Sequence, residues 1–158
     1  MNITIIAVGT VKESFYAQAV EEYVKRLKPY AQVKIQEIAE EPRPDKAGEK
    51  LVERALEKEA ERIRKVLPKG SCVVSLCVEA KQEDSLKFSR HLAEWAEEGG
   101  AQITFIIGGS DGLAPEIKAL GKKVSFSPMT FPHTLMRVIL LEQIYRGFRI
   151  LHHEPYHK

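Results

Sequence analysis

The residues able to do chemistry gather near the C-terminal end of the chain. Gly108-Gly109-Ser110-Asp111-Gly112 directly follows the apolar run QITFII. Adjacent glycines leave their amides unshielded and let a ligand approach the main chain closely. The run is not G-x-G-x-x-G and no phosphate-loop lysine follows, so neither a dinucleotide fingerprint nor a P-loop is supported. A tight strand-to-helix turn is the plain alternative. Next comes Ser127-Pro128-Met129-Thr130-Phe131-Pro132, followed by His133. Its prolines fix φ and remove two amide donors, giving a stiff loop that carries two large apolar side chains. Such a loop suits an adenine ring, held by stacking and backbone hydrogen bonds; packing into the core is the competing reading.

The remaining chemistry lies on the last helix and the tail. Val138, Leu140, Leu141, Ile144, Tyr145, Phe148 and Leu151 form a very broad apolar face with Arg137 in its middle. An arginine there must be paired, reach a polar pocket, or extend its head group to water. The breadth of the face points to burial against a second subunit, a homodimer. The tail HHEPYHK puts Tyr156, His157 and Lys158 beside Arg146 and Arg149. A stacking ring among cations suits RNA, and a frayed, solvated terminus is the alternative. His152 and His153 are adjacent and match no ligand spacing, so no metal is expected.

These groups need a frame, and apolar periodicity supplies one. NITIIAV (2–8) reads as a buried strand, 13–30 as a helix with Phe15, Ala19, Tyr23 and Leu27 at apolar spacing, and QVKIQEI (32–38) as a half-buried strand. EEPRPDKAG is a polar loop and the best candidate for mobility. A charged helix with a narrow apolar stripe from Leu51 to Leu67 covers 48–67. The strand SCVVSLCV follows, then a helix from Asp84 or Ser85 to Glu98 with Leu86 on its core side, closed by Gly99-Gly100. QITFIIGG is a strand covered on both faces. A short helix near 114–120, a short strand KVSF, and a long helix over 133–151 complete the order. Alternating strands and helices predict one α/β domain spanning 1–158, with a mostly parallel sheet and flanking helices. In such sheets ligands bind beyond the carboxyl ends of the strands, where the glycine run and the proline loop both fall.

Composition agrees with a folded domain. The chain has 158 residues, 44% of them hydrophobic and 29% charged, which excludes disordered and collagen-like classes. No apolar run reaches the roughly 18–20 residues of a membrane span. The opening MNITIIAVGT has no basic n-region and reads as a strand rather than a signal peptide, so a cytoplasmic protein is expected. Net charge is only +2, yet residues 121–158 hold six Lys and Arg against two Asp and Glu. That asymmetry points to an anionic partner at the C-terminal end. Cys72 and Cys77 are five positions apart, on opposite faces of a strand, and read as buried structural thiols.

FIIGGSDGL, SFSPMTFPHTLMRVILLEQIYRGFRIL and HHEPYHK, with ITIIAVGTVKESFYAQAVEEYVKRL at the start, resemble the ribosomal RNA large subunit methyltransferase H family of the SPOUT superfamily. The likeness spans essentially the whole chain. It implies a C-terminal trefoil knot, which general topology rules would not suggest. It also implies a homodimer that uses S-adenosylmethionine to methylate N3 of a pseudouridine in 23S ribosomal RNA on assembled ribosomes. Carried over residue by residue, the cofactor positions are Leu76, Gly108, Ser127, Pro128, Met129, Thr130, Phe131 and Pro132. His133, Arg137 and Lys158 fall at substrate contacts, and Arg146, Tyr156 and His157 at catalytic ones. Lys158 stands where arginine is also expected; it keeps the charge and loses the planar fork.

Overall fold

Strand β1 (Asn2–Val8) explains the two-layer plan. Successive side chains on a strand point to opposite faces. Ile3, Ile5 and Ala7 therefore enter one core, while Ile6 and Val8 enter another, and all five are buried. An isoleucine-rich run with no polar face is stable only at the centre of a sheet covered on both sides. The computed structural model describes residues 1–158 and places β1 in the interior of the sheet, with a strand paired on either side.

The remaining elements are α1 (Ser14–Leu27), β2 (Gln32–Ile38), α2 (Glu49–Val66), β3 (Cys72–Leu76), α3 (Ser85–Glu98), β4 (Gln102–Ile107), α4 (Pro115–Lys118), β5 (Lys122–Val124) and α5 (His133–Leu151). The five strands form one sheet in the order β2-β1-β4-β3-β5, with every pairing parallel. All carboxyl ends therefore share one edge. The larger core lies under α1, α3 and α5 and contains Phe88, Leu92, Trp95, Phe105, Leu140 and Ile144. The smaller core, under α2 and α4, contains Ala60, Ile63, Ile106 and Ile117. Cys72 and Cys77 are free and buried. No helix is long and apolar enough to cross a membrane.

Three expectations change with the packing. The apolar breadth of α5 is largely used within the chain, because α5 packs against both α1 and α3 as well as the sheet. The last strand stops at Val124 rather than Phe126. There the buried Ser125 hydroxyl lies 3.1 Å from Val78 O and 3.0 Å from Ser127 O, which turns the chain out of the ladder. Phe15, Leu51 and Leu86, apolar positions of their helices, are exposed. Each sits within the first three residues of its helix, and in a parallel α/β layer those first turns overhang the carboxyl edge of the sheet.

Candidate active site

The carboxyl ends of β3, β4 and β5 open into a cleft with a cavity volume of about 250 Å³. Its floor is Leu76 and Ile107, where the two strands end. One wall is the glycine turn. Gly112 N donates to Gly109 O at 3.1 Å, and Gly112 has φ +76°, a conformation open to glycine at little cost. A Cβ on Gly108 would lie 2.5 Å from Gly112 O, so the closed turn has no room for a side chain at that position. The opposite wall is the segment 125–131, with Ser127, Met129, Thr130 and Phe131 facing the cleft. Ser127 Oγ accepts from Met129 N at 3.0 Å and shapes the bend. Met129 is 70% exposed despite its apolar side chain. Pro128 and Pro132 stiffen the same loop without lining the cleft, and Pro132 is the N-cap of α5.

The loops around the cleft are stitched to one another by main-chain bonds. Cys77 N donates to Val124 O at 2.9 Å, and Ser125 N donates to Lys81 O at 3.3 Å. On the rim Lys118 pairs with Glu79 and holds its carboxyl below the usual carboxylate range.

His133 closes the cleft on the side of α5. Burial, and next the Arg137 charge, pull its imidazole below its ordinary value of 6.5. Its Nδ1 lies 3.2 Å from Arg137 Nη2. A guanidinium only donates, so Nδ1 accepts and the neutral ring carries its proton on Nε2. Gly9, at φ +106°, passes directly beneath: a Cβ there would stand 2.7 Å from His133 Nε2. Arg137 is 2% exposed. It donates through Nη1 to Glu37 Oε2 at 2.6 Å and through Nη2 to Gly9 O at 2.8 Å. The arginine predicted within an apolar face is thus buried and paired, bracing His133 from below.

A second cluster lies farther along α5. Arg146 donates to Glu142 through Nε at 3.0 Å, and Tyr156 OH donates to the same Glu142 oxygen at 3.0 Å. The Arg146 guanidinium stacks 4.7 Å above the Tyr156 ring. Arg146 Nη1 lies 3.2 Å from His157 Nδ1. Burial and the Glu142 carboxylate push the Tyr156 phenol up to about 12, so it is a donor and not a base near neutrality. The tail reaches this position because Glu154 accepts from Tyr30 OH at 2.8 Å and pairs with Arg149, whose Nη2 donates to Pro155 O at 2.9 Å. The tail is folded back on α5 rather than frayed. Lys158 is exposed at its end. His157 lines a neighbouring cleft that shares Phe126 with the first one.

Sequence reading missed Gly9, Glu37 as the partner of Arg137, and Glu142 as the anchor of the tail. The available signals were a glycine ending a buried strand and a carboxylate on the inner alternation of β2.

The family model described as "Predicted SPOUT methyltransferase" matches residues 1–157. The chain belongs to the SPOUT methyltransferase family. This SPOUT chain is 48% identical over its full length, and the full length of the relative, to "Ribosomal RNA large subunit methyltransferase H" of Bifidobacterium animalis subsp. lactis. It is 44% identical, with the same complete coverage of both, to the protein of that name from Syntrophomonas wolfei. Among solved structures, the SPOUT chain superposes on a probable methylase family protein from Haemophilus influenzae. The TM-score is 0.55 at 14% identity, covering 99% of this chain and 70% of that one. It also superposes on TrmJ from Z. mobilis with TM-score 0.55 at 12% identity, covering 100% and 73%. At such identities these two likenesses speak to the fold.

Proposed function

We propose that this protein is an S-adenosylmethionine-dependent methyltransferase acting on N3 of a pseudouridine in 23S ribosomal RNA. It acts as one catalytic domain over 1–158, working as a cytoplasmic homodimer on assembled ribosomes, with the C-terminal third threaded as a trefoil knot. The supporting observation is the convergence of segments 76–79, 108–112 and 125–131 on one cleft at the carboxyl edge, in a chain whose full-length relatives are named ribosomal RNA large subunit methyltransferase H.

The residues present fit the cofactor. A Cβ at Gly108 would collide with Gly112 of the same turn, so the turn keeps its tight shape beside the cleft only with glycine there. Leu76, Met129 and Phe131 offer apolar surface for an adenine ring, and Ser127 and Thr130 offer hydroxyls between the stiffening Pro128 and Pro132. Bound S-adenosylmethionine supplies a methyl group already activated for in-line displacement. The protein's task is then orientation, plus one proton.

Pseudouridine N3–H is flanked by two carbonyls, and its anion spreads over both. Arg146 and the Tyr156 hydroxyl are donors suited to that anion. In one chain they are turned toward Glu142, so in this reading the tail of a second copy brings them to the cleft. His133 sits on the substrate side with Arg137 bracing it from below, and Lys158 meets phosphate. The proton passes to His157, to His133, to the terminal carboxylate or to water. Attraction to RNA through Lys and Arg makes ribosome affinity fall with salt.

The test is calorimetric titration of the cofactor-free protein with S-adenosylmethionine, ATP and NAD, followed by nucleoside analysis of ribosomes incubated with enzyme and donor. Saturable binding of the first alone, and 3-methylpseudouridine in the digest, are expected. No binding, or methylation of a different nucleoside, removes the reading. Light scattering at twice the mass of one chain is expected; an active monomer removes the homodimer.

A further inference from the structure

Arg43 belongs to the polar loop between β2 and α2 and does not line the cleft. Its side chain is nevertheless only 9% exposed. The guanidinium is driven between three carboxylates drawn from three parts of the chain. Nε donates to Asp111 Oδ2 at 2.7 Å. Nη1 donates to Glu59 Oε2 at 3.2 Å and to Glu41 O at 3.0 Å. Nη2 stands 3.8 Å from Glu40 Oε1. Glu59, on the inner face of α2, is 2% exposed, and its Oε2 also accepts from Glu41 N at 2.9 Å. Arg62 and Lys58 of the same helix hold the Glu41 carboxylate. The loop that sequence alone marks as mobile is therefore bolted to α2.

Its other side is bolted to the glycine turn. Ser110 Oγ donates to Glu40 Oε1 at 3.0 Å, and Asp111 takes the Arg43 bond. Ser110 and Asp111 are the two tip residues of the turn closed by Gly112 N and Gly109 O. A four-residue turn flanked by glycines has many accessible shapes, so something outside it must select one. Without the Arg43 cation, Glu40, Glu59 and Asp111 would face one another unneutralised, which drives the loop and the turn apart.

We infer that Arg43 is a positioning residue for the cofactor: by joining Asp111 to the buried Glu59, it holds the 108–112 turn in the shape that presents its main chain to the cleft. Arg43 touches no cofactor. Its effect travels through Asp111, and it rests on the reading of the cleft as the S-adenosylmethionine site. Lysine cannot replace it, because one ammonium cannot bridge Asp111 and Glu59 as a planar fork does.

The test compares wild type, Arg43→Gln, Asp111→Asn and the double variant. Calorimetry measures S-adenosylmethionine affinity, and amide hydrogen exchange is followed in the cofactor-free proteins. Each single change is expected to weaken affinity about tenfold. The double is expected to be no weaker than the worse single, because both cut the same link. Amides of 108–112 are expected to exchange faster in every variant while those of β1 and β4 stay unchanged, which a general loss of stability would not produce. Wild-type binding with unaltered variants, additive losses, or unchanged exchange at the turn overturns the positioning role alone. A wild-type protein that binds no S-adenosylmethionine overturns the cofactor reading, and the positioning role with it.

Discussion

Arg137 Nη1 and Glu37 Oε2 are 2.6 Å apart and 100 positions apart in sequence. The pair ties α5, at the foot of the proline loop, to the end of β2. It is asymmetric: the Arg137 side chain is 2% exposed and that of Glu37 is 40% exposed. Glu37 Oε2 also accepts from Val11 N at 3.0 Å, so one carboxylate fastens the loop after β1 as well.

Truncating the two ends therefore has unequal costs. Arg137→Ala opens a buried volume and orphans Gly9 O and His133 Nδ1, and is expected to cost about 3–5 kcal/mol. Glu37→Gln keeps an acceptor oxygen at a partly solvated site, with an expected cost of about 1 kcal/mol. Urea unfolding of both variants measures the difference, and equal costs would contradict the assignment of Arg137 as the buried partner.

His133 makes stability depend on pH. Its folded value lies below the ordinary 6.5 because burial, and then Arg137, oppose the imidazolium. Above 6.5 the ring is neutral in both states and stability is at its full value. As pH falls from 6.5 toward the depressed folded value, the unfolded chain binds the proton first, so stability is lost across that window. Glu40, Glu37 and Glu13 oppose the effect from their own sides and limit it. Thermal melts of wild type and His133→Gln between pH 7.5 and about 5 are expected to converge as pH drops; parallel curves would remove His133 as the cause.

Tyr156→Phe deletes the hydroxyl that donates to Glu142 while keeping the ring under Arg146. Methyl transfer is expected to fall by about tenfold or more, with S-adenosylmethionine affinity nearly unchanged, since Tyr156 does not line the main cleft. Deleting 155–158 is expected to abolish transfer and spare cofactor binding. Equal loss of both functions in either variant would refute a substrate role for the tail.

Two glycine substitutions separate binding from folding. Gly108→Val places its Cβ against Gly112 O and forces the turn out of its tight shape, so S-adenosylmethionine binding is expected to vanish in a protein that remains folded. Gly9→Ala meets both a positive φ and the His133 ring at 2.7 Å. Its expected effect is about 2 kcal/mol or more of stability. Circular dichroism melts beside calorimetric titration distinguish the two, and unchanged cofactor binding by folded Gly108→Val would end the assignment of that turn.

The sequence by itself determined the layered α/β frame. β1 is apolar on both faces, so it must be interior, and so must the run QITFII. It also marked the glycine run and the proline loop, because glycine and proline act on the local backbone and their meaning survives without tertiary context. Tertiary structure alone decided the partners. Periodicity places Arg137 on a helix face but cannot say that Glu37 and the Gly9 carbonyl wait across the sheet. It marks EEPRPDKAG as polar but cannot say that Arg43 finds a buried Glu59. The breadth of α5 follows from its position between α1 and α3, which no local pattern encodes. Charges settle where desolvation is repaid by several fixed partners at once, and those partners come from distant segments that only the fold brings within 3 Å of one another.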